Sequence, residues 1–173
     1  DLPRMSLPVI RRFDAKDWPA VWSLLKPIMR AGDTYAYARD ISEDDMRLAW
    51  IRAPQAAFVA EDGCGRILGR YYIKPNHAGP GGHICNCGYA VDVAARGQGV
   101  ARAMCLHSQE IARDLGFLGM QFNLVVSTNA GAIGLWLDLG FGVVGTVPGA
   151  FRHPSKGPVD AHVMFKALQP VTA

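Results

Sequence analysis

The residues with the most chemical content lie between Gly88 and Ala101, which read Gly-Tyr-Ala-Val-Asp-Val-Ala-Ala-Arg-Gly-Gln-Gly-Val-Ala. An apolar, strand-like run ends at Asp92, and a turn at Arg96–Gly99 is rich in backbone N–H groups. From Val100 to Leu115 apolar residues return at helical spacing. Strand, glycine turn and helix N-terminus together form an anion site, because unpaired N–H groups and the helix dipole both face the turn. Gly97 and Gly99 carry no Cβ, so the backbone there can approach a bulky phosphate. Taken alone, such a turn equally fits a plain strand-to-helix connection. Three asparagines add amide chemistry. Asn86 interrupts an apolar strand, Asn123 sits in another, and Asn129 starts a helix. A buried amide is costly unless hydrogen-bonded, so two in core-like strands need partners, whether in a ligand or in a local bulge or turn. For Asn129 helix capping is the ordinary duty.

The elements that must position these groups follow from periodicity. Val9–Phe13 reads as a strand, and Asp14 or Asp17 can cap a helix through Met29 with Trp18, Trp22, Leu25 and Met29 at helical spacing. Pro27 should kink or shorten that helix. Ser42 with Asp45 resembles a capping box opening a helix through Trp50. Ala56–Glu61 and Arg66–Ile73 read as a hairpin about Asp62–Gly65, followed by a Gly/Pro loop at Pro75–Gly82. Further strands are expected at Ile84–Asp92, Gly119–Val126, Phe141–Thr146 and Val159–Phe165, with a helix at Ala130–Leu139. The order argues a single α/β domain over residues 1–173, built on a mixed sheet of six to seven strands flanked by helices.

Arg96-x-x-Gly99-x-Ala101 resembles the pyrophosphate-binding signature of the GNAT superfamily of N-acetyltransferases. Asn129, Ala132, Leu135-Trp136 and Leu139-Gly140-Phe141 resemble that superfamily's downstream segment. The resemblance implies the GNAT fold, with two neighbouring parallel strands splayed apart, an acetyl-CoA core at about residues 83–145, and acetyl-CoA as acetyl donor without a metal. It implies backbone contacts to pantetheine at Tyr89, Val91 and Val93, and pyrophosphate contacts at Arg96, Gly97, Gln98, Gly99, Val100 and Ala101. His83–Gly88, Phe122–Val125, Thr128-Asn129 and Leu135–Phe141 resemble one branch more closely, the fungal-type N-acetyltransferases of L-azetidine-2-carboxylate and other proline analogues. That match implies substrate contacts from the Asn86 side chain and from the amides of Asn123 and Leu124, the latter pair facing a carboxylate. It also implies an Asn129 side chain near the sulfur of acetyl-CoA. Tyr35 and Tyr37 stand where relatives wall the acceptor site, and they equally fit packed aromatics after a helix.

The sequence departs from the superfamily at Trp136, which replaces the usual tyrosine acid and whose indole N–H is no useful proton donor. A thiolate is a tolerable leaving group, since thiols titrate near ~8.5. Asn129 is therefore expected to stabilise sulfur while solvent completes protonation. No carboxylate is easily placed as general base. Glu61 and Asp62 read as solvent-facing and Asp92 as structural, so ordered water is expected to take the amine's proton.

Composition bounds the remaining possibilities. With 173 residues, half of them hydrophobic and 19% charged, the chain is globular rather than disordered. A net charge of +3 is too scattered to argue for nucleic acid or membrane binding, yet it suits an anionic cofactor such as CoA, and the partner expected is a small-molecule amine. Cys64, Cys85, Cys87 and Cys105 lack zinc-like spacing and read as free thiols of a cytoplasmic protein. No apolar run approaches the ~18 residues of a membrane span. The stretch Gly142–Phe151 is apolar enough to permit a homodimer. A polyamine, antibiotic or peptide acceptor and a silent acyl-CoA sensor are the alternatives. A dinucleotide site is rejected, because Arg102 stands where the third glycine of that fingerprint belongs.

Overall fold

Side-chain alternation along the strands sets the layers of this fold, which the computed structural model describes over residues 7–169. The outermost residues of the 1–173 domain therefore lie outside the described residues. The elements are β1 (Val9–Arg12), α1 (Trp18–Ala31), α2 (Glu43–Arg47), β2 (Ala56–Glu61), β3 (Ile67–Pro75), β4 (Ile84–Val91), α3 (Val100–Asp114), β5 (Gly119–Val126), α4 (Ala130–Asp138), β6 (Gly142–His153) and β7 (Gly157–Ala167). The seven strands form one mixed sheet in the order β1-β2-β3-β4-β5-β7-β6. On β3, Tyr71 and Ile73 face the core shared with α3 and α4, whereas Tyr72 faces the core shared with α1. Period-two alternation thus buries both faces of the central strands.

A capping box fixes the 3-10 turn Ala15–Asp17 that leads into the first helix. Asp14 accepts from the Lys16 amide, and Asp17 accepts from the Asp14 amide at 2.8 Å. Helix α1 runs through Pro27 and ends at Gly32, which has φ 68°. The proline thus neither shortens nor ends the helix, since the adjoining turns are held by buried Leu24, Leu25, Ile28 and Met29. Trp22 is only half-buried and stacks on Trp18 instead of filling the core. Ser42 caps α2 through the Asp45 amide, as its spacing predicts. A five-residue π turn, Leu48–Arg52, then carries Trp50 into the core.

The last hairpin is longer than its sequence suggests. The strands expected at Phe141–Thr146 and Val159–Phe165 extend over Gly142–His153 and Gly157–Ala167, a register shift between Val147 and Phe151 absorbing Pro148.

Strands β4 and β5 run parallel but pair only at Ile84↔Gly119 and Cys85↔Met120. Beyond those two pairs they part, as the family resemblance anticipates, and the parted stretch positions the site.

Candidate active site

At the far end of the gap, the chain leaves β4 through Asp92, whose carboxylate accepts from the Ala94 amide at 2.9 Å and pairs with Arg66 at 3.0 Å. That confirms a structural duty for Asp92. The backbone then takes left-handed conformations at Gly97 (φ 76°) and Gly99 (φ 81°), which disfavour any residue with a Cβ. Gly99 stands at the N-cap of α3 and supplies no side chain to its first turn. The free amides there and the helix dipole together favour an anion. Gln98 turns back to donate to the Ala94 carbonyl at 3.3 Å, and Val93 points outward with 55% exposure.

Across the gap, Asn129 caps α4 by accepting from the Ala132 amide at 3.3 Å. Its oxygen is thereby engaged, which leaves the Nδ2 hydrogens to donate into the cavity that Asn129 lines. Trp136 packs among Tyr89, Phe122 and Phe141, with centroids 5.0–6.3 Å away, and serves as core. The Tyr89 hydroxyl is bound to Ser108 at 2.6 Å, and burial pushes its pKa up, so it is no substitute acid. Burial likewise pushes up the Cys87 thiol, which argues against a thiolate nucleophile beside the gap.

The two strand asparagines meet at a residue that sequence reading missed. Asn76, in the loop after β3, accepts at its side-chain oxygen from Asn123 at 2.7 Å and from Asn86 at 3.3 Å. Its own amide is anchored to the Ile84 carbonyl at 2.8 Å. Gln121 donates to the Asn123 oxygen at 3.0 Å, which completes a patch drawn from one loop and two strands. The expectation of buried amides is corrected here. Asn123 is exposed and Asn86 half-buried, because both sit on the sheet face where the parted strands leave no covering layer. Between β5 and β7 the register slips from Phe122 to Val125, so Asn123 and Leu124 form a bulge with unpaired edges toward β4. Gly88 completes the floor. A Cβ there would sit 2.6 Å from Cζ of Tyr72, whose ring lies across the strand.

A cavity of about 690 Å³ fills the gap, a volume suited to a small-molecule site. Of the residues singled out by sequence, Tyr35, Tyr89, Val91, Arg96, Gly97, Gly99, Val100, Ala101, Leu124 and Asn129 line it. Val93, Gln98, Asn86 and Asn123 do not, the two asparagines lying on the adjoining patch. Glu61 departs from its solvent-facing expectation by pairing with Arg11 at 3.0 Å. Behind Tyr35, Arg70 is fully buried over the Trp50 ring at 4.5 Å, donating to the Trp50 carbonyl at 2.9 Å. Burial lowers its pKa to about 9, and it stays cationic at neutral pH. A charged residue inside the apolar run Ile67–Ile73 was the available signal for it. Among the described residues no group of three metal-binding side chains occurs, and no helix is long and apolar enough to cross a membrane.

Residues 18–141, both walls of the gap included, match the family model of the acetyltransferase (GNAT) family. The chain belongs to the GNAT family of acetyltransferases. It is 41% identical to a GCN5-related N-acetyltransferase from Kribbella flavida, with a TM-score of 0.89 over 93% of this chain and 98% of that one. The N-acetyltransferase aca1 of Schizosaccharomyces pombe is 38% identical over 112 residues, covering 64% of this chain and 54% of that protein. The match thus spans about half the length of that relative. The structure of yncA from Salmonella typhimurium, solved with its cofactor acetyl-CoA, shares the fold at a TM-score of 0.85 and 24% identity, over 97% of this chain and 98% of that one.

Proposed function

We propose that this chain is an acetyl-CoA-dependent N-acetyltransferase whose acceptor is a small cyclic imino acid, such as azetidine-2-carboxylate or another proline analogue. The observation that carries this reading is a coincidence in space. Strands β4 and β5 part where the bulge at Asn123-Leu124 and the Asn76–Asn86–Asn123 patch meet the cavity. The residues present fit the donor. The free edge of β4 from Tyr89 to Val91 can hold an extended arm as a neighbouring strand would. The amides from Arg96 to Ala101 can hold a diphosphate. When bound, acetyl-CoA supplies an activated acetyl group.

The acceptor nitrogen attacks the acetyl carbonyl, the N–C bond forms, and the C–S bond breaks. The sulfur gains a hydrogen bond from Asn129 Nδ2 as negative charge develops on it. The proton leaving nitrogen passes to water, since the cavity lining holds one carboxylate, the exposed Asp33. That lining also disfavours a polyamine, which would call for several acidic side chains. On the acceptor side, Asn86 holds the imino acid, and the amides of Asn123 and Leu124 face its carboxylate. Tyr35 walls the opposite side.

The four free cysteines suit a reducing cytoplasm. A homodimer would use the edge strand β6, on which Val143, Val144 and Val147 are exposed. The direct test is mass analysis of the acetylated product together with KM for azetidine-2-carboxylate in wild type and Asn86→Ala. The reading expects an N-acetyl imino acid and a KM raised about 10-fold or more in the variant, from loss of a polar contact. An unchanged KM would remove Asn86 from the site.

A further inference from the structure

The acceptor face carries a cation that neither the mechanism nor any ion pair uses. Lys74 on β3 stands opposite Asn86 of β4 in the antiparallel register, so the two side chains leave the same face of the sheet. Its Nζ lies 5.3 Å from the centroid of the Tyr72 ring, the ring that crosses the sheet over Gly88 at the cavity floor. Two residues further along, Asn76 holds Asn86 and Asn123 through one shared oxygen.

The ion pairs among the described residues join Arg11 to Asp17 and Glu61, Arg66 to Asp92, and Arg102 to Asp138. Lys74 takes part in none of them. The other cation on this face, Arg70, is fully buried over the Trp50 ring and donates from Nη2 to the Trp50 carbonyl. Lys74 is half-buried, its stem lying along the sheet while its head remains reachable. The neighbouring patch consists of neutral amides, which orient a carboxylate without neutralising it. An ammonium outside every ion pair, across the register from Asn86 and two residues from Asn76, together with the patch of neutral amides is the composition of a carboxylate receptor.

We propose that Lys74 is the residue that makes this site selective for acceptors bearing a carboxylate, with Asn76 as the positioning residue that fixes the amides of Asn86 and Asn123 around it. The proposal rests on the imino-acid reading above and extends it to the origin of its specificity. The ammonium attracts the acceptor's carboxylate, while the amides set its angle. An amine without the acid gains nothing from Lys74. Replacing the charge should therefore change discrimination between acceptors rather than the chemical step.

The experiment compares kcat/KM for azetidine-2-carboxylate and for azetidine, the same ring without the acid, at saturating acetyl-CoA. Wild type, Lys74→Met, Lys74→Arg and, as a cation that lines the cavity itself, Lys156→Met are measured side by side. The expected result is that Lys74→Met narrows the wild-type preference about 10-fold, through KM, at low salt. Lys74→Arg restores most of it, which a merely structural stem would not explain. A preference fully kept in Lys74→Met, or lost only in Lys156→Met, overturns the proposal and leaves the imino-acid reading standing. Wild type that turns over azetidine as well as the acid, or neither ring, overturns that reading and the proposal with it. Asn76→Ala provides a second check. It should raise KM for the acid with little change in kcat for the bound acceptor, and an unaltered KM would strike Asn76 from the account.

Discussion

At the scale of single residues, the amide geometry of Asn129 makes the sharpest prediction. Its oxygen is taken by the Ala132 amide, so only Nδ2 can serve the thioester sulfur. Asn129→Asp keeps the cap, favoured at a helix N-terminus, while removing the donor. We expect kcat to fall about 10²–10³-fold with the melting temperature nearly unchanged, and near-full turnover by a folded Asn129→Asp would refute the role. Gly88 makes a second, steric prediction. Its missing Cβ leaves room for the Tyr72 ring, so Gly88→Ala should cost about 1–3 kcal/mol in denaturant unfolding, through displacement of a buried aromatic. At this scale the sequence showed which residues bear chemistry but not which of them meet. Asn86 and Asn123 stood out as polar breaks in apolar strands. Asn76, their common partner, was hidden in a Gly/Pro loop with no periodic pattern to mark it. Lys74 was silent for a related reason, because its meaning lies in a cross-strand neighbour that only register reveals.

At the scale of elements, the glycine turn and the first helix can be tested separately. Gly99 has φ 81° with open space around its Cβ position, so Gly99→Ala meets backbone strain rather than a clash. The expected cost is about 1 kcal/mol of stability, accompanied by a several-fold weaker acetyl-CoA Kd. An unchanged Kd would mean that the turn does not hold the diphosphate. At the other end of the molecule, Arg11 ties β1 to both Asp17 (2.8 Å) and Glu61 (3.0 Å). The Arg11 hydrogen bonds hold the Asp17 carboxyl below its ordinary range. A carboxylate with a lowered folded pKa stabilises fully above its unfolded value near 3.8, and the effect fades as pH falls through the lower, folded value. Asp17→Asn should therefore lower stability by about 1–2 kcal/mol at pH 7. The deficit should shrink below pH 4 in urea titrations, and a deficit independent of pH would contradict the account. Element limits were legible where periodicity was clear, as in α3 and β5. They fell short in the last hairpin, whose strands run past Thr146 and Phe165 because a register shift absorbs Pro148.

At the scale of the whole molecule, one topological fact organises the rest: a parallel pair that separates after two residues in the middle of an otherwise continuous sheet. Strand and helix periodicity indicated a mixed α/β sheet. The separation itself has no signature in hydrophobic pattern, and only resemblance to the family anticipated it. The long β6–β7 hairpin was likewise underread, though it brings His153 and Lys156 to the cavity. The account stands or falls on whether this gap joins a thioester to an imino acid. The most direct test is CoA-thiol release from acetyl-CoA by the wild-type chain against azetidine-2-carboxylate, cis-4-hydroxyproline, proline, spermidine, an aminoglycoside and a short peptide. The account predicts turnover confined to the cyclic imino acids. Turnover of spermidine, the aminoglycoside or the peptide in their place would contradict the acceptor, and tight acetyl-CoA binding with no turnover of any amine would contradict the enzyme.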